Sequence, residues 1–111
     1  MSGPRRLQSI PFELDTVSEK LLRREKEKAR RLKSMHWWNR KIQKGECYYC
    51  HRNVGREQLT MDHVVPLSRG GKSKKGNIVP ACKECNNKKK NLLPIEWDEY
   101  LESLSKQDSD P

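Results

Sequence analysis

The sequence predicts a small α+β domain that folds around bound metal rather than around a large apolar core. Three observations point there. Only 32% of the residues are hydrophobic and 35% are charged, in a chain of 111 residues. Burial alone rarely holds so short and polar a chain together; a metal, a disulfide or a partner is usually needed. Two Cys-x-x-Cys pairs, Cys47 with Cys50 and Cys82 with Cys85, account for all four cysteines. Between and after these pairs, the β-formers, glycines and helix-compatible runs read as strand, loop, strand, helix.

Residues 1–14 read as an irregular arm punctuated by Pro4 and Pro11. From Asp15 to Lys44 there is no proline or glycine, so one helix is expected. Asp15, Thr16 and Ser18 are candidate N-caps, and Gly45 stands where a helix would stop. Its apolar stripe is thin: Val17, Leu21, Ala29 and Leu32. Leu59 to Pro66 carries Thr60, Val64 and Val65 and reads as a strand. Ser68 to Gly76 is a Gly- and Lys-rich loop, and Asn77 to Pro80 suits a second strand. Lys83 to Leu93 reads as a helix. Pro94 can open a last helix in its first turn, with Ile95, Trp97, Tyr100, Leu101 and Leu104 at helical spacing. Ser105 to Pro111 is polar and expected to be disordered. The chain therefore divides into 1–44, 45–93 and 94–111, without internal repeats.

The charge is uneven. Lys and Arg total 24 against 15 acids, a net +9. Residues 20–44 alone hold eleven bases and two acids, whereas residues 94–111 hold one base and six acids. Such a positive field attracts polyanions, nucleic acid first. No apolar run approaches the roughly 20 residues that span a bilayer, and no secretory signal is visible. The chain reads as soluble and cytoplasmic.

Two Cys-x-x-Cys pairs suit one ion, because a tight turn aims both thiolates of a pair at the same point. Four thiolates make a tetrahedral structural zinc site. The alternatives are reduced or disulfide-bonded pairs, a redox motif in one pair, or His51 replacing a cysteine as ligand. The 31 residues between the pairs exceed ordinary finger spacing, and they contain the strand-loop-strand.

Asp62 and His63 are adjacent in the first strand, where side chains alternate between faces. A bulge or the strand end must bring them together. Asp offers a hard oxygen to a divalent cation, and His can take a proton near neutral pH. Taken alone, the pair reads better as a turn-capping Asp beside a surface His. Its surroundings are more specific. Asp62-His63-Val64-Val65-Pro66, Gly70-Gly71, Asn77-Ile78, then Cys82-Lys83-Glu84-Cys85-Asn86 and a lysine run resemble the HNH endonuclease signature across roughly residues 47–91.

The resemblance implies a ββα-metal (His-Me finger) core at 45–93, with zinc knuckles, flanked by the basic helix and the C-terminal helix. It implies an endonuclease that hydrolyses phosphodiester bonds in DNA, nicking or cutting with little sequence preference. His63 would be the general base, and Asp62 a ligand of the catalytic Mg²⁺ or Mn²⁺. Asn77 would hold the hairpin loop and help to orient His63. Asn86 stands where many members have His, which makes this a His-Asn-Asn variant. It is similar to phage junction-resolving nucleases, where Asn ligates through its carbonyl oxygen. Cys47, Cys50, Cys82 and Cys85 would bind the structural Zn²⁺. Other readings are a non-catalytic zinc module that only binds nucleic acid, and a phage DNA-packaging protein assisting a terminase subunit.

For DNA contact, the sequence offers Lys88, Lys89 and Lys90 on the helix carrying Asn86, Arg69 with Lys72, Lys74 and Lys75 on the loop, and the basic helix. Double-stranded DNA is the expected partner, with branched or single-stranded forms as variants and no membrane. No module for reading base edges is evident. Trp37 and Trp38 suit either base stacking or anchoring of the helix; Trp97 and Tyr100 suit anchoring of the last helix.

Overall fold

The structure, a computed structural model, describes residues 17–109, with side chains through Lys106. The arm expected over residues 1–14 lies outside the described residues, as do the cap candidates Asp15 and Thr16.

The basic segment forms two helices, α1 (Glu19–Lys33) and α2 (His36–Ile42), where a single one was expected. Ser18 is the N-cap of α1, its hydroxyl accepting the Leu21 N–H at 3.1 Å. The break lies at Ser34 and Met35. The Ser34 hydroxyl donates to the Arg31 carbonyl at 2.8 Å, and such local side-chain bonds compete with helix continuation. Met35 is extended and restarts the chain in a new direction. The turn drives Trp38 into the core, where it is buried.

Strands β1 (Leu59–His63) and β2 (Ile78–Cys82) pair antiparallel, with Asp62 opposite Val79 and His63 opposite Ile78. Pro80 is tolerated in β2 because a two-stranded sheet has only edge strands. Its carbonyl accepts the Tyr48 N–H at 2.8 Å, joining the first knuckle to the sheet. Helix α3 (Lys83–Lys89) follows β2 without a loop: Cys82 ends the strand and caps the helix, its sulfur accepting the Cys85 N–H at 3.4 Å.

Helix α3 stops four residues before the expected Leu93. Lys90 has φ 46° and still donates its N–H to the Asn86 carbonyl at 3.0 Å. Leu93 precedes Pro94, which disfavours helical backbone there. Helix α4 (Pro94–Ser109) runs further than expected, into the segment read as a disordered tail. The interior is small: Trp38, Ile78, Val79, Ala81 and Trp97, with three buried cysteines. One cluster is built from Cys47, Ala81, Cys82 and Cys85, with Tyr49, Val54 and Leu59 packed on it. Much of the core is therefore sulfur, as expected of a chain too polar for an ordinary one.

Candidate active site and metal centre

The first knuckle is a tight turn. The His51 N–H returns to the Cys47 carbonyl at 2.9 Å, and His51 takes φ 64° to allow it. This turn meets the junction of β2 and α3. The sulfurs of Cys47, Cys50, Cys82 and Cys85 all lie within 4.8 Å of one another, and Cys50 Sγ is 3.9 Å from Cys82 Sγ. Tetrahedral zinc with Zn–S near ~2.3 Å needs sulfurs about 3.8 Å apart, so the donor set fits. All four cysteines are free thiols. N–H donors surround them: Tyr49 N–H to Cys47 Sγ at 3.3 Å and Arg52 Nε to Cys50 Sγ at 3.3 Å. Burial pushes the Cys50 thiol up, but Arg52 outweighs it and brings the group down to about 6. Such donors stabilise thiolate, the form that binds metal. His51 is not part of the cluster; its ring is exposed and meets Glu46 at 3.2 Å.

From this anchor α3 runs along β1. Thr60 and Asp62, two residues apart, share the face toward α3. The Thr60 hydroxyl donates to the Ala81 carbonyl at 2.9 Å and accepts the Asn86 amide N–H at 2.8 Å. Its proton is committed to a carbonyl that can only accept. The Asn86 amide must therefore present nitrogen to Thr60, and its oxygen is left for another partner. One turn on, Lys89 is fully buried. Its ammonium lies 3.3 Å from Asp62 Oδ2, donates to the His63 carbonyl at 3.1 Å and sits 5.6 Å from the Tyr49 ring centre. The Tyr49 hydroxyl donates to the same Asp62 oxygen at 2.5 Å. Burial, with Asp62 adding to it, pushes the Tyr49 pKa far up, so it stays a donor.

His63 ends β1, and the loop beyond it is tied by Asn77. The Asn77 amide oxygen accepts the Val65 N–H at 2.9 Å, while its NH₂ donates to the carbonyls of Val65 and Lys72 at 3.0 and 2.9 Å. Gly71 permits the tight return: a Cβ there would lie 1.8 Å from the Val65 oxygen. The loop then reaches α1. Ser73 donates its N–H to Glu25 Oε1 and its hydroxyl to the Glu25 carbonyl, both at 2.6 Å. Ser73 Oγ lies 2.9 Å from His63 Nε2. The Ser73 N–H holds the Glu25 carboxyl below its ordinary pKa. Burial lowers the His63 pKa against the pull of Asp62 and Glu25, with Lys89 lowering it further. The neutral ring, the form that accepts a proton, is favoured.

Asp62, His63 and Asn86 line one open, polar cavity of about 260 Å³ at the end of β1, with Lys90 at its edge. Asn77 is not among its lining residues and acts on the loop instead. One expectation needs correction, and one expected contact has a protein partner. Lys89 is an interior residue, because it sits one helical turn from buried Cys85 on the same face. Arg69 is held by Glu96 through two hydrogen bonds of 3.0 and 3.1 Å and by the Asn91 carbonyl at 3.2 Å, clamping the loop to α4. Lys89 is therefore not presented to a phosphate, whereas Arg69 stays exposed in its pairing. Lys88 is exposed and pairs with Glu84 at 3.3 Å. Trp38 anchors α2, while Trp37 is flanked by the ammonium groups of Lys41 and Lys75. Trp97 is buried between Tyr49 and Tyr100. Glu25, Ser73, Thr60 and Tyr49 were missed by sequence reasoning. Only Glu25 left a signal, as an acid in the apolar stripe between Leu21 and Ala29.

Fold and site together define a ββα unit stapled by four thiols, with an Asp-His pair at the mouth of a polar cavity. Residues 47–99 match the model of the HNH endonuclease family. Over 52 residues the chain is 35% identical to the CRISPR-associated endonuclease Cas9 of Actinomyces naeslundii. That stretch is 46% of this chain and 5% of the length of that relative. Among the described residues, no helix is long and apolar enough to cross a membrane.

Proposed function

We propose that this protein is a metal-dependent DNA endonuclease with His63 as general base and one catalytic divalent cation, Mg²⁺ or Mn²⁺. The observation that carries the reading is the cavity shared by His63, Asp62 and Asn86. Asp62 and Asn86 would hold the cation through a carboxylate and an amide oxygen, donors that suit hard ions. When bound, the cation supplies positive charge to the scissile phosphate and the leaving oxygen. His63 removes the proton of the attacking water. Asn77 keeps the loop closed so that His63 holds its place, and zinc on the four thiolates fixes the start of α3 and hence Asn86. Lys90 is exposed at the cavity edge in a backbone region unusual for lysine (φ 46°, ψ −118°), which suits a placed phosphate contact. The exposed bases of α1 and Lys72, Lys74 and Lys75 of the loop supply further phosphate contacts, without a means of reading bases. A reducing, cytoplasmic setting suits four free thiols.

One observation favours a second reading, a zinc-held module that binds nucleic acid without cutting it. Asp62 Oδ2 is already satisfied by Lys89 and Tyr49. Supercoiled plasmid, incubated with protein and Mg²⁺ or with chelator, separates the two. Nicking that needs the cation and disappears in His63→Ala, with DNA binding retained, supports the enzyme. Binding without nicking supports the module. Action beside a phage terminase rests on the sequence resemblance, and a pull-down with a terminase subunit tests it.

A further inference from the structure

Glu25 lies on α1, outside the family match, yet it reaches the loop beside His63. Glu25 is 3% exposed and Ser73 7%, so their bonds form away from water and each donor and acceptor must be accounted for. Ser73 has one hydroxyl proton. The Glu25 carbonyl oxygen, 2.6 Å away, can only accept, so the proton lies on that line. Ser73 Oγ is then an acceptor toward His63 Nε2 at 2.9 Å. A bare Nε2 would set two lone pairs against each other at that distance. The Ser73 N–H is committed as well, to Glu25 Oε1. The serine can neither rotate nor exchange its role while α1 is docked. Among the described residues, no protein group donates to Nδ1, and the ring borders the cavity shared with Asp62 and Asn86.

We propose that Ser73, locked by Glu25, is a positioning residue that holds the neutral His63 ring as its Nε2–H tautomer and leaves Nδ1 as the nitrogen that takes the proton of the attacking water. The proposal rests on the reading of His63 as the base. It also makes α1 part of the active site, since the backbone of Glu25 sets the serine that sets the ring.

The test uses the zinc-loaded full chain, labelled with nitrogen-15 at histidine, without Mg²⁺ and at mildly alkaline pH. His63→Gln identifies the His63 signals. The wild type should show a proton on Nε2 that exchanges slowly with solvent, and a bare Nδ1. Ser73→Ala should lose the protected Nε2 proton and average between tautomers; Ser73→Thr, which keeps a hydroxyl, should retain it. In parallel, Ser73→Ala should nick plasmid roughly tenfold to a hundredfold more slowly, the range seen when a partner that orients a functional histidine is lost. DNA affinity should be unchanged, and Ser73→Thr should recover the rate. A proton on Nδ1 in the wild type, or a protected Nε2 proton that survives Ser73→Ala, overturns the proposal, and the wild-type measurement decides even if Ser73→Ala does not fold. If the resonances behave as expected but the wild type never nicks, the tautomer assignment stands and the nuclease reading falls.

Discussion

Helix α3 borders a different set of polar side chains at each end. Its N-terminal end gathers four sulfurs within 4.8 Å, three of the four cysteines buried. Further along, Asn86 and Lys90 face an open cavity with Asp62 and His63. The first site is soft, closed and made from residues already paired in sequence. The second offers hard oxygens and an imidazole, and stays open toward solvent. Structural and catalytic metal sites differ in this way: one completes its coordination from the protein, the other leaves room for water and substrate. Only two residues separate Cys82 from Cys85, and Asn86 follows at once, so geometry set at the closed end is carried to the open end within one turn.

Stripping the metal is the strongest way to break that division. A zinc chelator, or Cys85→Ser, should abolish the cooperative unfolding transition seen by circular dichroism, since structural zinc supplies on the order of 10 kcal/mol of folding free energy in small domains. A chain that keeps its transition without metal would mean that the thiol cluster is not the staple. At the open end the expected effect falls on rate rather than on fold. His63→Ala should slow nicking by about 10²- to 10⁴-fold, the usual contribution of a general base, with zinc content and DNA affinity preserved.

Lys89 lies between the two ends. Lys89→Met removes one partner of a buried ion pair and should destabilise the protein by about 3–5 kcal/mol in urea titrations. Added Mg²⁺ should recover part of that loss if Asp62 can hand its charge to a cation. Equal losses with and without Mg²⁺ would argue that Asp62 serves Lys89 alone.

pH sharpens the contrast further. Burial lowers the His63 pKa, so the neutral ring is complete above the ordinary value of about 6.5 and is lost as pH falls through the lowered one. The nicking rate should be flat at neutral pH and fall about tenfold per unit below a midpoint under that ordinary value. The same group makes acid destabilising, because the unfolded chain takes the proton more readily than the folded one. A midpoint above the ordinary histidine value would contradict the burial seen here. The smallest effect is expected at the loop. Lys74→Ala or Lys75→Ala should each lower the slope of log affinity against log salt by about 1 and leave the nicking rate at saturating DNA unchanged.

Much of the site was legible in the sequence because its parts are local. The two Cys-x-x-Cys turns, the Asp-His pair and the Asn after Cys85 each sit within a few residues of one another, and their spacing survives folding. Lys89 was misread because it stands in a run of three lysines, although it is four residues from Cys85 and so on the buried face of the same helix. The clamp that Arg69 forms left no local signal because its partner, Glu96, is 27 residues away on another helix. The helix break at Ser34 and Met35 had no proline or glycine to announce it. Ser73 is one polar residue in a Gly- and Lys-rich loop, and nothing nearby marks it.

By itself, the sequence determined that this chain is too polar for a large apolar core, where its four thiols pair, and that its net charge is strongly positive. Those properties follow from composition, total charge and covalent spacing, none of which depends on how distant segments meet. Tertiary structure alone decided which charges face water and which turn inward: Lys89 to Asp62 and Glu25 to Ser73. Those pairings require loops and helices far apart in sequence to dock, and the free energy of a buried charge is set by the partner it finds there.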